Sequence, residues 1–202
     1  MKNRLDRIVT KSGDSGLTSI NPNKRISKNS NIIKCLGNLD ELNAYIGTLK
    51  ADLFINNSTK RSLDDVYKWI TRIQHTLFDI GGAICSEDMD LFDERAVNFL
   101  DEIIHEINQD LPPLKEFVLP GGSQLGAKAH VSRTVCRRTE RSLVNLIEND
   151  PEYENYRESG MLPYINRLSD FFFVLSRRLD RLSKLDEQTW NTNKKKQNKK
   201  NI

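Results

Sequence analysis

Residues 162–179 read LPYINRLSDFFFVLSRRL, and their spacing sets the architecture. Ile165, Leu168, Phe172, Leu175 and Leu179, continued by Leu182, step by three or four positions. That step returns to one face of an α-helix, so the stretch predicts a helix with a single apolar stripe. Working outward, the step recurs at Leu63, Val66, Ile70, Ile73, Leu77, Ile80 and Ile84. It recurs again at Ile32, Leu36, Leu39, Leu42 or Asn43, Ile46, Leu49 and Leu53. Stripes of some twenty residues give helices of about 30 Å, which pack side by side. A shorter helix is predicted over 94–108, with Val97, Leu100, Ile104 and Ile107 inward and Asp110-Leu-Pro-Pro breaking it. A fifth should begin near Ser123, an N-cap after Pro-Gly-Gly, and run to about Glu148. No convincing strand is visible. The expectation is an all-α fold: a five-helix bundle of the ferritin-like up-and-down type, with an ordered N-terminal loop.

The chain has 202 residues, 37% of them hydrophobic, which fits one domain or two small ones. Residues 1–189 are expected to form the bundle domain and 190–202, WNTNKKKQNKKNI, a disordered tail. The formal charge is +3, but the tail holds five lysines and no acid, so the body is slightly acidic. That argues against a general nucleic-acid binder. Three cysteines without a CxxC exclude a disulfide framework or zinc site and suit a reducing compartment. The three histidines lack metal-ligand spacing, and no protein metal site is assigned. No apolar run approaches a membrane helix, and MKNRLDRIVT has no signal core. A cytoplasmic protein without membrane attachment is expected.

Four stretches carry chemistry. SRTVCRRTERSL, residues 132–143, places Arg133, Arg137 and Arg141 at i, i+4 and i+8 on the fifth predicted helix counted above. They form one ridge, each about 6 Å further along the axis, with His130 on the same side. Glu140 lies three residues after Arg137 and could hold that guanidinium. The planar fork of arginine suits phosphate or carboxylate oxygens, though a solvated face laced with ion pairs reads the same way on charge alone. TKSGDSGLT, residues 10–18, offers Gly13 and Gly16, the hydroxyls of Thr10, Ser12 and Thr18, and Lys11, with Lys28 downstream. It can wrap a polyphosphate or simply turn, and it is not a P-loop. CLGNLDELNAYIG, residues 35–47, sets Asp40 beside an apolar stripe, where it is either an exposed acid or half of a buried pair. In the stretch that opened this section, Asn166 sits beside the stripe, where an amide can be structural or can read a ligand.

In combination these stretches resemble the PduO-type ATP:cob(I)alamin adenosyltransferases. TKSGDSGLTS matches that family's opening T-K-T-G-D-x-G-x-T-S, and Arg25 with Lys28 matches its R-x-x-K. GNLDELNAYIG, LPGGS, HVSRTVCRRTER and the Tyr164–Asp170 box follow in the family's order. The resemblance covers about residues 8–180.

It implies that the chain transfers the 5′-deoxyadenosyl group of ATP to cob(I)alamin, giving adenosylcobalamin and triphosphate. It implies ATP ligands at Thr10, Lys11, Ser12, Gly13, Thr18 and Lys28, and at Arg137, Arg138, Thr139, Glu140, Arg141 and Asn166. It gives catalytic roles to Arg133, Arg137, Asp40 and Glu140, with Arg133 pairing to Asp40. Phe117 and Asp40 fall on the corrinoid side, where the aromatic helps displace the lower axial ligand of cobalt. ATP and cob(I)alamin are then substrates, with Mg2+ on the phosphates. The family assembles as a homotrimer with sites between subunits. A cob(II)alamin reductase and an adenosylcobalamin-dependent client enzyme are implied partners.

Two rivals remain: a catalytically impaired corrinoid carrier or sensor of the same fold, and a bundle whose arginines bind a protein. The sequence departs from the pattern at Ser12, normally threonine, and at INPNKR, where the family has L-F-G-G-E-R. NDPEYENYRESG also looks like a slightly lengthened loop before the last helix.

Overall fold

The computed structural model describes residues 9, 11–21, 24–57, 63–86 and 88–190. Five helices carry the fold: α1 Asn31–Asn57, α2 Asp64–Ser86, α3 Arg95–Gln109, α4 Gln124–Asn149 and α5 Met161–Leu182. The predicted stripes lie inward, with Leu39, Leu42, Ile46, Leu49 and Leu53 of α1 and Val66, Ile70, Ile73, Ile80 and Ile84 of α2 in one core. On α3 the register turns slightly. Ile103 is buried with Leu100 and Ile107, while Val97 and Ile104 are only partly covered.

α5 is the central helix. Its burial extends beyond the predicted stripe to Met161, Tyr164, Phe171, Val174 and the adjacent polar positions Ser169 and Ser176. A helix buried all round must be packed on several sides, and α5 lies against both α3 and α4. α1 packs on α4 and α2 on α1. The side-chain pairs Lys128–Asp52 and Arg138–Glu41 make α1 and α4 antiparallel. Arg167–Asp101 and the bond from Arg181 to the Asp110 carbonyl make α3 and α5 parallel. The result is the predicted up-and-down order.

One expectation is corrected. The N-terminal loop contains a β-hairpin, β1 Leu17–Asn21 against β2 Lys24–Ser27, antiparallel with an irregularity between Ser19 and Asn21. Strands of five and four residues hold too few apolar residues for periodicity to reveal them. Ile20 and Ile26 rest on the core, and Lys24 Nζ reaches Glu152 at 2.6 Å. Of the departure INPNKR, Ile20 and Asn21 lie in β1 and Lys24 and Arg25 in β2, while residues 22–23 lie outside the described residues. NDPEYENYRESG is not an irregular loop either. Pro151–Glu158 form 3-10 turns that bury Tyr153 and Tyr156, and the Tyr156 hydroxyl donates to the Ala83 carbonyl at 2.9 Å.

Trp190 N donates to the Phe117 carbonyl at 2.7 Å, so residue 190 belongs to the folded body. The proposed tail over 191–202 lies outside the described residues.

Candidate active site

α4 begins where the sequence places it. Ser123 is extended, and its Oγ accepts from Gly126 N at 3.0 Å, an N-cap bond. From there the helix carries two of its faces into recognisable surroundings.

The first is a recess of about 560 Å³ lined by Leu114, Phe117, Val118, His130, Arg133 and Phe173. Phe117 is 77% exposed, and its ring lies 6.4 Å from that of Trp190. His130 is buried with Nδ1 unpartnered and its ring edge-on to Phe173. Burial, then the positive charge of Arg133, hold the His130 imidazole below its ordinary value, with Asp180 acting against them. Arg133 Nε is also buried with no hydrogen-bond partner. Burial first, and then neighbouring Arg137, lower the Arg133 pKa. An apolar recess with an uncompensated guanidinium at its wall suits a large, flat, partly polar ligand.

The second face follows the ridge to the α4–α5 seam. Arg137 and Arg141 are exposed, and among the described residues neither has an acidic partner. Glu140 does not hold Arg137, as i+3 spacing suggested; its Oε1 accepts from Asn166 Nδ2 at 3.0 Å. The carboxylate thus orients the amide and leaves Arg137 to whatever arrives from solvent. Beside them Asp170 has its pKa raised by burial, opposed by the charges of Arg137 and Arg167. Two guanidiniums without an ion pair among the described residues and a positioned amide make an edge whose chemistry suits an anion.

Other expected residues lie elsewhere. Thr139 is 0% exposed, and its hydroxyl donates to the Asn38 carbonyl at 3.0 Å, packing α4 on α1. Arg138 is turned to Glu41 on α1. Asp40 is exposed and borders a separate recess between α1 and α2 with Leu36, Asn43 and Phe78. Asp40 and Arg133 therefore do not meet within one chain.

In the N-terminal loop, Gly13 lies against Lys28: a Cβ there would stand 2.9 Å from the mobile Lys28 Nζ. Gly16 has φ +79°, and its carbonyl accepts from Lys28 N at 2.9 Å. Arg25 donates to the Ser12 carbonyl at 2.5 Å. Lys11 and Ser12 are exposed and Thr18 is half-buried. Thr10 lies outside the described residues. Among the described residues no hydrogen bond or ion pair joins this loop to Arg137 or Arg141.

Sequence spacing marked His130 only as a neighbour of the ridge and did not mark Phe173. Their convergence with Phe117 requires the α4–α5 packing and the course of the 110–123 linker. Only the register of the two helices hinted at it.

An up-and-down helical bundle with an apolar recess beside a guanidinium ridge defines a class of ligand-binding helical proteins. Within that class, the family model described as Cobalamin adenosyltransferase matches residues 8–179. The cobalamin adenosyltransferase of Cupriavidus metallidurans is 40% identical over 190 residues, spanning 94% of this chain and 97% of that one. The corrinoid adenosyltransferase of Bacillus subtilis is 38% identical, spanning 85% of each chain. Among solved structures, a variant PduO-type ATP:corrinoid adenosyltransferase from Lactobacillus reuteri complexed with cobalamin and ATP aligns with TM-score 0.76 at 31% identity. That alignment spans 92% of this chain and 97% of that one. The chain belongs to the cobalamin adenosyltransferase family.

Proposed function

We propose that this chain transfers the 5′-deoxyadenosyl group of ATP to cob(I)alamin and releases triphosphate. The carrying observation is the adjacency of the partnerless ridge Arg133, Arg137 and Arg141 to the recess that holds Phe117. In this reading Arg137, Arg141 and Asn166 bind the nucleotide with Lys11, Ser12, Gly13, Thr18 and Lys28. Phe117 and Arg133 face the corrinoid. The electron pair of cobalt(I) forms the bond to C5′ as the C5′–O bond breaks, and triphosphate leaves with that bonding pair. No protein nucleophile or proton is needed. Guanidiniums already in place gain importance as charge accumulates on the leaving oxygen. Holding both reactants in line removes the entropic cost of their encounter. Mg2+ enters on the phosphate oxygens.

The site is completed between copies of the chain, as a homotrimer. Among the described residues Asp40 and Arg133 have no ion-pair partner and border different recesses, and no hydrogen bond or ion pair joins the loop to Arg137 or Arg141. A neighbouring copy that brings Asp40 to Arg133 resolves both facts. The enzyme works in the cytoplasm, receives cob(I)alamin from a cob(II)alamin reductase and yields product for an adenosylcobalamin-dependent client enzyme.

The test mixes protein, ATP, Mg2+ and chemically reduced cobalamin and follows absorbance as the Co–C bond forms. Protein that is folded and binds both ligands without turnover would establish the carrier reading instead.

A further inference from the structure

The linker between α3 and α4 carries Phe117, yet its middle is exposed: Leu114, Lys115, Glu116 and Phe117 all face solvent. Apart from the caps of α3 and α4, the bonds that hold it come from the end of α5 and the segment behind it. Arg177, 3% exposed, donates through one Nη to the Pro112 carbonyl at 2.7 Å. Its Nε donates to Glu187 Oε1 at 2.5 Å, and the same Nη approaches Oε2 at 3.3 Å. One guanidinium thus joins the start of the linker to the segment following α5. That segment then pairs with the linker: Leu119 N donates to the Gln188 carbonyl at 2.8 Å, and Val118 opposes Thr189. Trp190 N closes the ladder on the Phe117 carbonyl.

A buried arginine engaged through Nε and one Nη is costly to place and poorly replaced by a point charge. Its two acceptors lie 75 positions apart in sequence, at Pro112 and Glu187, and neither belongs to a regular helix. The two segments they tie together run on as the ladder from Val118 to Trp190, which ends at the Phe117 carbonyl.

We infer that Arg177 is a positioning residue for the adenosyl transfer, acting through Glu187 and Pro112 to set the register of the strap that presents Phe117 to the corrinoid. The inference rests on the corrinoid-side reading of Phe117 given above. Loosening the clamp leaves ATP on its own edge of α4 and α5 and lets the aromatic ring wander over the recess.

The experiment compares Arg177→Met and Glu187→Gln with wild type and with Phe117→Ala, each checked for helix content. Three quantities are read: the KM for reduced corrinoid, the ATP dissociation constant, and the absorption and EPR change of cob(II)alamin as its lower axial ligand leaves. Both clamp variants are expected to raise the corrinoid KM by about tenfold, the scale of one lost charge-assisted contact. They should also weaken the spectral change while ATP binding stays unaltered. If ATP affinity falls in parallel, or corrinoid KM and spectra stay at wild-type values, the inference is overturned. Should Arg177→Met fail to fold, Glu187→Gln, outside every helix, decides in the same way. If Phe117→Ala acts and the clamp variants do not, only Arg177 loses its role. If Phe117→Ala is itself silent, the corrinoid-side reading falls and takes this inference with it.

Discussion

Asp180 Oδ1 accepts hydrogen bonds of 2.7 Å from both the backbone N–H and the Oγ of Ser123. A carboxylate at the first turn of α4 satisfies donors that the helix cannot, and its charge opposes the positive end of the helix dipole. The site exists because two glycines leave room for it. A Cβ on Gly122, at φ +91°, or on Gly126 would come within 2.1 Å of an Asp180 oxygen. LPGGSQLG is therefore a socket for an aspartate 57 positions beyond its serine. It fixes the start of the helix that carries His130, Arg133, Arg137 and Arg141.

Gly126→Ala tests the socket. Helix propensity alone would make it stabilising by about 0.5–1 kcal/mol. The clash with Asp180 reverses the sign, and a loss of about 1–3 kcal/mol is expected from urea unfolding. Combined with Asp180→Ala, the loss should be smaller than the sum of the single effects, since the two changes share one contact. Simple additivity would contradict the packing described.

Arg137→Ala removes an exposed guanidinium with no hydrogen bond or ion pair among the described residues. Unfolding stability should change by less than about 0.5 kcal/mol. ATP affinity and the transfer rate should drop by about ten- to a hundredfold, the scale of a lost charged hydrogen bond. Calorimetric ATP titration beside the absorbance assay checks both, and wild-type behaviour would remove Arg137 from the site.

Asp40→Asn should leave ATP binding and the helix content of the chain unchanged, because Asp40 is exposed and has no ion pair among the described residues. Corrinoid turnover should fall if a neighbouring copy pairs it with Arg133. Sedimentation and steady-state kinetics separate lost assembly from lost turnover. A defect confined to ATP affinity would contradict the assignment.

His130 supplies a pH dependence with a definite sign. Its folded-state pKa is depressed, by burial and then by Arg133, with Asp180 opposing. The unfolded value is about 6.5, so the stability it contributes is fully present above that pH and lost as pH falls through the folded value. Wild type should lose more stability than His130→Gln between pH 7.5 and 5.5, by about 1 kcal/mol or less. Parallel urea midpoints across that range would show that burial does not hold the ring neutral.

Much of the bundle was legible because helix burial leaves a local trace. The step of three and four from Ile165 to Leu182 identifies a helix wherever it packs. Ser123 after Pro-Gly-Gly marks its own cap. The hairpin left no such trace, because Leu17–Asn21 and Lys24–Ser27 are too short for alternation to stand out, and their stability comes from resting Ile20 and Ile26 on the core. Glu140 shows how local geometry misleads: its spacing from Arg137 is right for an ion pair, but Asn166 on α5 takes the carboxylate. Thr139 shows the reverse, a motif residue whose side chain faces inward to Asn38.

The residues by themselves determined which segments coil, which faces are apolar, where α4 begins, and that guanidiniums line one ridge of it. All of these depend on neighbours within a turn or two. Folding in three dimensions decided which of those guanidiniums stay free, that α5 lies at the centre, and that Phe117 is held by the far end of the chain. These outcomes depend on contacts between segments scores of residues apart, whose pairing energy belongs to no single stretch.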